Sequence, residues 1–209
     1  MTFIRNDLFE LLNPDFSELL HEKYLYCVVE YVQLHLKGDY EGKVSHKLAA
    51  LHAMEEILLR IERYFEKVRL SSCNKNDDFN FTRKIEVDKL SGVPYSVDRF
   101  FLRPSWVWDG IFDEKGNCIS GRLNNCEYEQ YAYAFALTPY FMAEKNLDDW
   151  EAVNYELFPN RKELEIYSWN DDWQEFYFSN GKEWWGCFYW TVYDPLTKVF
   201  TIVAASTTD

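Results

Sequence analysis

The segment EWWGCFYWTVY, residues 183–193, decides the fold of this 209-residue chain. In an extended strand, alternate side chains point to opposite faces. One face would carry Trp184, Gly186, Phe188, Trp190 and Val192, and the other Trp185, Cys187, Tyr189, Thr191 and Tyr193. Both sets are largely apolar or aromatic, whereas a strand with one face in water alternates polar and apolar residues. The segment therefore predicts a central strand that is covered on both sides.

Neighbouring segments predict that this strand belongs to an antiparallel meander. Strand-like runs at residues 163–169, 173–178 and 199–206 are separated from it or from one another by short segments rich in Asn, Asp, Gly and Pro. Such segments form tight turns, and tight turns join antiparallel neighbours. We therefore expect a β-meander over residues 163–207.

Two amphipathic helices are predicted near the N-terminus. The Asn13-Pro14-Asp15 pattern is typical of a helix start, and this helix is expected to run to about Lys37. An apolar stripe through residues 45–69 predicts the second helix. The short connection between them favours an antiparallel helical hairpin over residues 1–70, packed with its apolar stripe against the sheet.

The middle of the chain predicts a mixture of strands and short helices. Residues 79–87 alternate like a strand, and the runs 105–112 and 117–123 flank a turn-forming segment, so we expect strands and a hairpin over residues 79–123. The spacing of apolar residues predicts two short helices over residues 126–158. Together these features predict a single α+β domain spanning residues 1–209.

The charge of the chain limits the partners it can attract. The net charge is −13, and residues 127–209 contain 15 acidic side chains against 5 cationic ones. A negative surface repels phosphate backbones and anionic membranes and attracts cationic proteins. We therefore expect a basic protein partner, and neither a nucleic acid nor a membrane.

The cysteine content indicates a reducing compartment. The five cysteines form no CxxC pair, and an odd number cannot all pair within one chain. The first residues lack the basic and apolar regions of a secretion signal, and no run approaches the roughly 20 apolar residues of a membrane span. We expect a cytoplasmic protein that is a monomer or a homodimer.

The motifs of common catalytic sites are missing from the sequence. It contains no nucleophile elbow, no P-loop and no dinucleotide-binding loop. The four histidines, His21, His35, His46 and His52, lack the close spacing of a zinc site, so we expect neither a metal nor a cofactor. Cys187 is expected to be a small buried side chain and not a nucleophile. The sequence favours a protein without catalytic activity.

Acidic and aromatic residues are concentrated between residues 148 and 175. Carboxylates accelerate encounter with a basic partner, and aromatic side chains supply buried contact area. This combination predicts a non-enzymatic binding or inhibitor protein that neutralises a basic protein, as bacterial immunity proteins do. The predicted partner-binding residues are Asp148, Asp149, Trp150, Glu151, Trp169, Asp171, Asp172, Trp173 and Glu175.

The same composition allows an alternative function. A pocket lined by Trp and Tyr beside Asp172, Glu175 or Glu183 would suit a small molecule or a carbohydrate. Trp stacks on sugar rings, and paired carboxylates serve as acid and base in glycoside hydrolysis. The alternative is therefore a small-molecule or carbohydrate binder or hydrolase with an acidic pocket.

Overall fold

A six-stranded antiparallel sheet forms the centre of the computed structural model, which describes residues 7–23, 27–71, 82–102, 131–136, 147–183 and 185–207. The elements are β1 (Phe9–Leu12), α1 (Phe16–Lys23), β2 (Glu30–Leu36), α2 (Lys43–Ser71), β3 (Gly92–Tyr95), α3 (Val97–Phe100), α4 (Tyr131–Ala136), α5 (Leu147–Leu157), β4 (Glu165–Trp169), α6 (Glu175–Phe178), β5 (Cys187–Asp194) and β6 (Val199–Ser206). The strand order is β1-β2-β6-β5-β4-β3. The predicted α+β class is confirmed, as are three of the four strands predicted for the meander, β4, β5 and β6.

Strand β5 lies between β4 and β6 and is buried on both faces. Phe188, Trp190 and Val192 belong to one apolar layer, whereas Tyr189 and Tyr193 belong to the other. The first layer lies between the sheet and α1, α3, α4 and α5; the second lies between the sheet and α2 and α6. The predicted two-sided central strand is therefore confirmed for residues 187–193.

The start of this strand differs from the prediction. Gly181–Glu183 is a 3-10 turn, and β5 begins only at Cys187. Gly186 has a φ of 124°, a backbone conformation that breaks the extended alternation and favours glycine. Trp185 consequently packs on Phe188 in the first layer, with 5.1 Å between ring centroids, and its predicted position on the opposite face is wrong. Residue 184 lies outside the described residues.

The predicted N-terminal helical hairpin is wrong in its first half. A helix does begin close to the predicted position, but α1 ends at Lys23. Residues predicted to continue it form β2, which pairs with β1 and β6. Within β2, Val32, Leu34 and Leu36 enter the second layer and Tyr31 the first, a period of two that a strand requires. Of the two predicted helices, α2 is confirmed, and the first is confined to α1.

Two other segments differ from their predicted structure. The predicted strand at residues 173–178 contains α6, whose start is capped by the Gln174 side chain accepting from the Tyr177 amide at 2.5 Å. Of the predicted strand at residues 79–87, the described part has no strand, and Val87–Lys89 is a 3-10 turn. The predicted short helices are found as α4 and α5. The predicted hairpin at residues 105–123 lies outside the described residues.

A chain of hydrogen bonds connects α2 to the sheet through buried His46. Trp169 Nε1 donates to Thr191 Oγ1 at 3.0 Å, and Thr191 Oγ1 lies 2.7 Å from His46 Nδ1. His46 Nε2 lies 3.0 Å from the Tyr40 hydroxyl, which donates to a Glu165 carboxylate oxygen at 2.7 Å. Because the carboxylate only accepts, the Tyr40 oxygen accepts from His46 Nε2–H. Burial lowers the pKa of His46 to about 3, so the ring is neutral at neutral pH, and its Nδ1 then accepts from the Thr191 hydroxyl.

Replacing Thr191 by Val should destabilise the fold. The change removes the hydroxyl from a fully buried position and leaves His46 Nδ1 and Trp169 Nε1 without that partner. The expected loss in the free energy of unfolding is about 2–4 kcal/mol, measured by urea denaturation. Thr201→Val in β6 is the matched control, because among the described residues the Thr201 hydroxyl accepts from half-buried Gln33 alone, and the change should cost about 1 kcal/mol or less. Equal losses in the two variants would contradict the role given to Thr191.

The stability of the fold should also depend on the protonation of His46. Burial lowers the pKa of His46 from its ordinary 6.5 to about 3. The neutral form therefore contributes stability above pH 6.5 that is lost as the pH falls towards 3. Between pH 6.5 and 4.5 the wild type should lose about 2–3 kcal/mol more than His46→Gln, measured by urea denaturation at both pH values. If the free energy of unfolding changed with pH equally in the wild type and in His46→Gln, protonation of His46 would not be the cause of the loss.

Candidate functional site

Helix α5 is amphipathic, and its two faces divide between the core and the surface. Its inner face carries Trp150, Val153, Asn154 and Leu157, all buried. Its outer face carries Asp148, Glu151, Ala152 and Tyr155, which recur at three- and four-residue steps. The apolar contacts of the inner face thus fix which side chains the helix presents to solvent.

An open groove of about 890 Å³ follows the outer face of α5. The rest of the groove comes from the segment after the helix and from the turn between β5 and β6. It is lined by Asp148, Glu151, Ala152, Tyr155, Phe158, Pro159, Asn160, Arg161, Lys162, Glu163 and Leu196. Tyr155 is 80% exposed and Leu196 is 66% exposed, so two large apolar side chains of the groove remain accessible.

Asp194, at the end of β5, holds two walls of the groove together. One of its carboxylate oxygens accepts from Asn160 Nδ2 at 2.8 Å, and the other accepts from the Leu196 amide at 2.9 Å. The carboxylate is largely buried, which makes these hydrogen bonds costly to break. The central strand therefore positions both the turn after α5 and the Leu196 side of the groove.

Arg161 connects the segment after α5 back to the helix. Its guanidinium contacts a Glu151 carboxylate oxygen through Nη1 and Nη2, each at 3.3 Å. The same guanidinium lies over the Phe101 ring, 4.9 Å from its centroid. A carboxylate and an aromatic face thus hold this arginine from two directions.

The groove carries an excess of negative charge. Its lining contains the carboxylates of Asp148, Glu151 and Glu163 and the cations of Arg161 and Lys162. Asp149 and Glu156 add two carboxylates on α5 itself. Because Arg161 is engaged with Glu151, the accessible charge comes mainly from Asp148, Glu163 and Lys162.

The predicted partner-binding residues do not form one surface. Asp148 and Glu151 line the groove, and Asp149 lies beside them on α5. Asp171, Asp172 and Glu175 lie between β4 and the first turn of α6, a segment whose Trp173 enters the second layer, on the opposite side of the sheet from α5. Lys182 pairs with Asp172 at 3.1 Å. The predicted set is therefore divided between the two sides of the sheet.

The three predicted tryptophans belong to the core. Trp150 packs in the first layer, whereas Trp169 and Trp173 pack in the second, and each is at least 95% buried. They offer no contact surface in this structure. Sequence reasoning missed Tyr155 and Leu196 as the exposed apolar residues. For Tyr155 a signal existed, since it lies seven residues after Asp148 on the same helix face.

The residues of the predicted acidic pocket lie elsewhere. Asp172, Glu175 and Glu183 are exposed, and none of them lines the groove. Cys187 is half-buried and donates to the Phe178 carbonyl at 3.2 Å. Burial raises the pKa of the Cys187 thiol to about 12, so this thiol is protonated at neutral pH and is a poor nucleophile.

Among the residues that the structure describes, no three His, Cys, Asp or Glu side chains lie together in a way that could hold a metal ion. No helix in the same ranges combines the length and the apolarity that crossing a membrane requires.

The sequence matches no protein-family model, and no curated protein is significantly similar to it.

Replacing Asp194 by Ala should loosen the groove. The change leaves Asn160 Nδ2 and the Leu196 amide without their acceptor, and the expected loss in the free energy of unfolding is about 1–3 kcal/mol. Hydrogen exchange of the Leu196 amide, followed by NMR, should become faster. Asp172→Ala, at an exposed position, is the control and should change stability by about 0.5 kcal/mol or less. Unchanged exchange at Leu196 would contradict the role of Asp194.

Proposed function

We propose that this protein is a non-enzymatic binding protein of the inhibitor type, which binds a basic segment of another protein in the groove along α5. The observation that supports this most is the composition of the groove. It combines two accessible apolar side chains, Tyr155 and Leu196, with the carboxylates of Asp148 and Glu163. Accessible apolar side chains bordered by polar and charged ones, here with an excess of carboxylates, are the arrangement of a protein-binding surface.

The charge of the chain fits a basic partner. Residues 147–163 contain five carboxylates and two cationic side chains, and the whole chain carries a net charge of −13. Such a field raises the rate of encounter with a cationic surface and repels acidic competitors. The partner we propose is therefore a basic protein, not a nucleic acid or a membrane.

The affinity would come mainly from the apolar side chains. Burying a large exposed side chain such as Tyr155 or Leu196 contributes about 1.5–3 kcal/mol each. The groove is also held in place before binding, by Asp194 on one side and by the Arg161–Glu151 pair on the other. A surface that needs little ordering on binding loses less free energy to conformational entropy.

Neutralisation of a basic enzyme is the most specific form of this role. A negative surface that covers a cationic active site would block an anionic substrate, as bacterial immunity proteins block their toxins. We expect this role in the cytoplasm, because the five cysteines show no paired spacing. In this proposal the carboxylates steer the partner and the apolar side chains retain it.

Neutralising the two accessible carboxylates of the groove should weaken binding. A basic partner would first be captured from a lysate of the source cell and identified by mass spectrometry. Its affinity would then be measured by calorimetry with the wild type and with the double variant Asp148→Asn/Glu163→Gln. The expected loss is about two- to thirtyfold, because each of the two exposed charge pairs is worth about 0.2–1 kcal/mol.

The control is a second double variant with the same change in net charge. Asp171→Asn/Asp172→Asn neutralises two carboxylates that do not line the groove. This variant should keep the affinity within about twofold of the wild type. Equal weakening by the two variants would show a general effect of net charge, and no weakening by the groove variant would exclude the groove as the binding site.

A further inference from the structure

The chain itself shows how a guanidinium is held near the groove. Arg161 lies over the Phe101 ring at 4.9 Å and contacts the Glu151 carboxylate at 3.3 Å. Arg99 likewise lies over the Tyr95 ring, 5.0 Å from its centroid. The face of an aromatic ring attracts the planar cation, and a carboxylate beside it accepts its hydrogen bonds.

A similar set of groups remains accessible in the same groove. The Tyr155 ring is 80% exposed, and the carboxylates of Asp148 and Glu163 share the groove with it. Within the described ranges, neither carboxylate forms an ion pair with a cationic side chain. The groove thus contains an aromatic face and carboxylates that no described cation of the chain occupies.

We propose that Tyr155, Asp148 and Glu163 form a subsite for an arginine side chain of the partner. The inference rests on the proposed function and adds the chemical identity of the group that is recognised. The guanidinium stacks on the Tyr155 ring and donates to the carboxylates. Leu196, which is 66% exposed in the same groove, contacts an apolar side chain next to that arginine.

Arginine fits this subsite better than lysine does. A guanidinium is planar, so it can stack on a ring and donate in its plane at the same time. The ammonium of lysine is a compact and strongly hydrated charge, which gains less from an aromatic face. The subsite therefore discriminates between two side chains of equal charge.

Lys162 opposes the binding of any cation in the groove. It is exposed and lines the same groove, and no described carboxylate pairs with it. Removing its charge by Lys162→Gln should therefore strengthen binding of the arginine by about two- to fivefold. This expected change is opposite in sign to that of Asp148→Asn.

The test uses three small probes with the full-length protein. Acetyl-leucyl-arginine amide, its lysine analogue and its neutral citrulline analogue would each be titrated and followed by NMR at the backbone amides of residues 148–163 and Leu196. The arginine probe should bind saturably and at least about threefold more tightly than the lysine probe, and the citrulline probe should bind weakest. Tyr155→Leu should remove the preference for arginine, whereas Tyr155→Phe should keep it.

The outcomes separate the subsite from the proposed function. Equal binding of the arginine and lysine probes, or a preference for arginine that survives Tyr155→Leu, would overturn the subsite. Weaker binding of the arginine probe to the Lys162→Gln variant than to the wild type would also overturn the subsite. None of these results would contradict the proposed function, which is tested by the affinity of the partner for the wild type and for the two double variants. Binding of the partner outside the groove would overturn the function whatever the probes show.

Discussion

Burial of both faces of β5 is the constraint on which the rest of the structure depends. Phe188 and Trp190 on one face and Tyr189 and Tyr193 on the other each need an apolar layer, so the sheet must be covered twice. Helix α2 covers one side, where small buried residues let it approach the sheet closely. Helices α1, α3, α4 and α5 cover the other. Because the first layer takes the Trp150 face of α5, the Tyr155 face must point outward.

The candidate site follows from this arrangement at the end of the same strand. Asp194 is the last residue of β5, and its carboxylate holds both Asn160 after α5 and the turn that carries Leu196. Asp194 therefore connects the helix end and the turns that form most of the groove lining. Tyr155 and Leu196 are accessible in this groove, whereas the Cys187 thiol, which is protonated at neutral pH, does not line it.

Three of the six strands, β4, β5 and β6, could be predicted from the sequence, but less of the site. The short turn between β5 and β6 and the apolar spacing of α5 predict these elements, whereas β4 and β5 are joined through α6 by a longer connection that the local pattern does not predict. The sequence of β2 predicts a helix because its apolar residues fit both periods, and the place of β2 between β1 and β6 is set by contacts distant in sequence. The predicted site contains residues that are close in the sequence. In the helix, however, neighbouring residues point in different directions, so that Trp150 faces the core and Glu151 faces the groove. No pattern in the sequence around Leu196 predicts that this residue lies close to α5.

We propose that a basic protein binds along the outer face of α5 and beside the β5–β6 turn. Hydrogen–deuterium exchange of the protein, alone and with its captured partner, would locate the bound surface because every segment is observed in one experiment. Exchange should become slower on binding in residues 147–163 and in the turn around Leu196, with little change in residues 170–183. Slower exchange confined to residues 170–183, or a groove that exchanges equally with and without partner, would contradict this proposal.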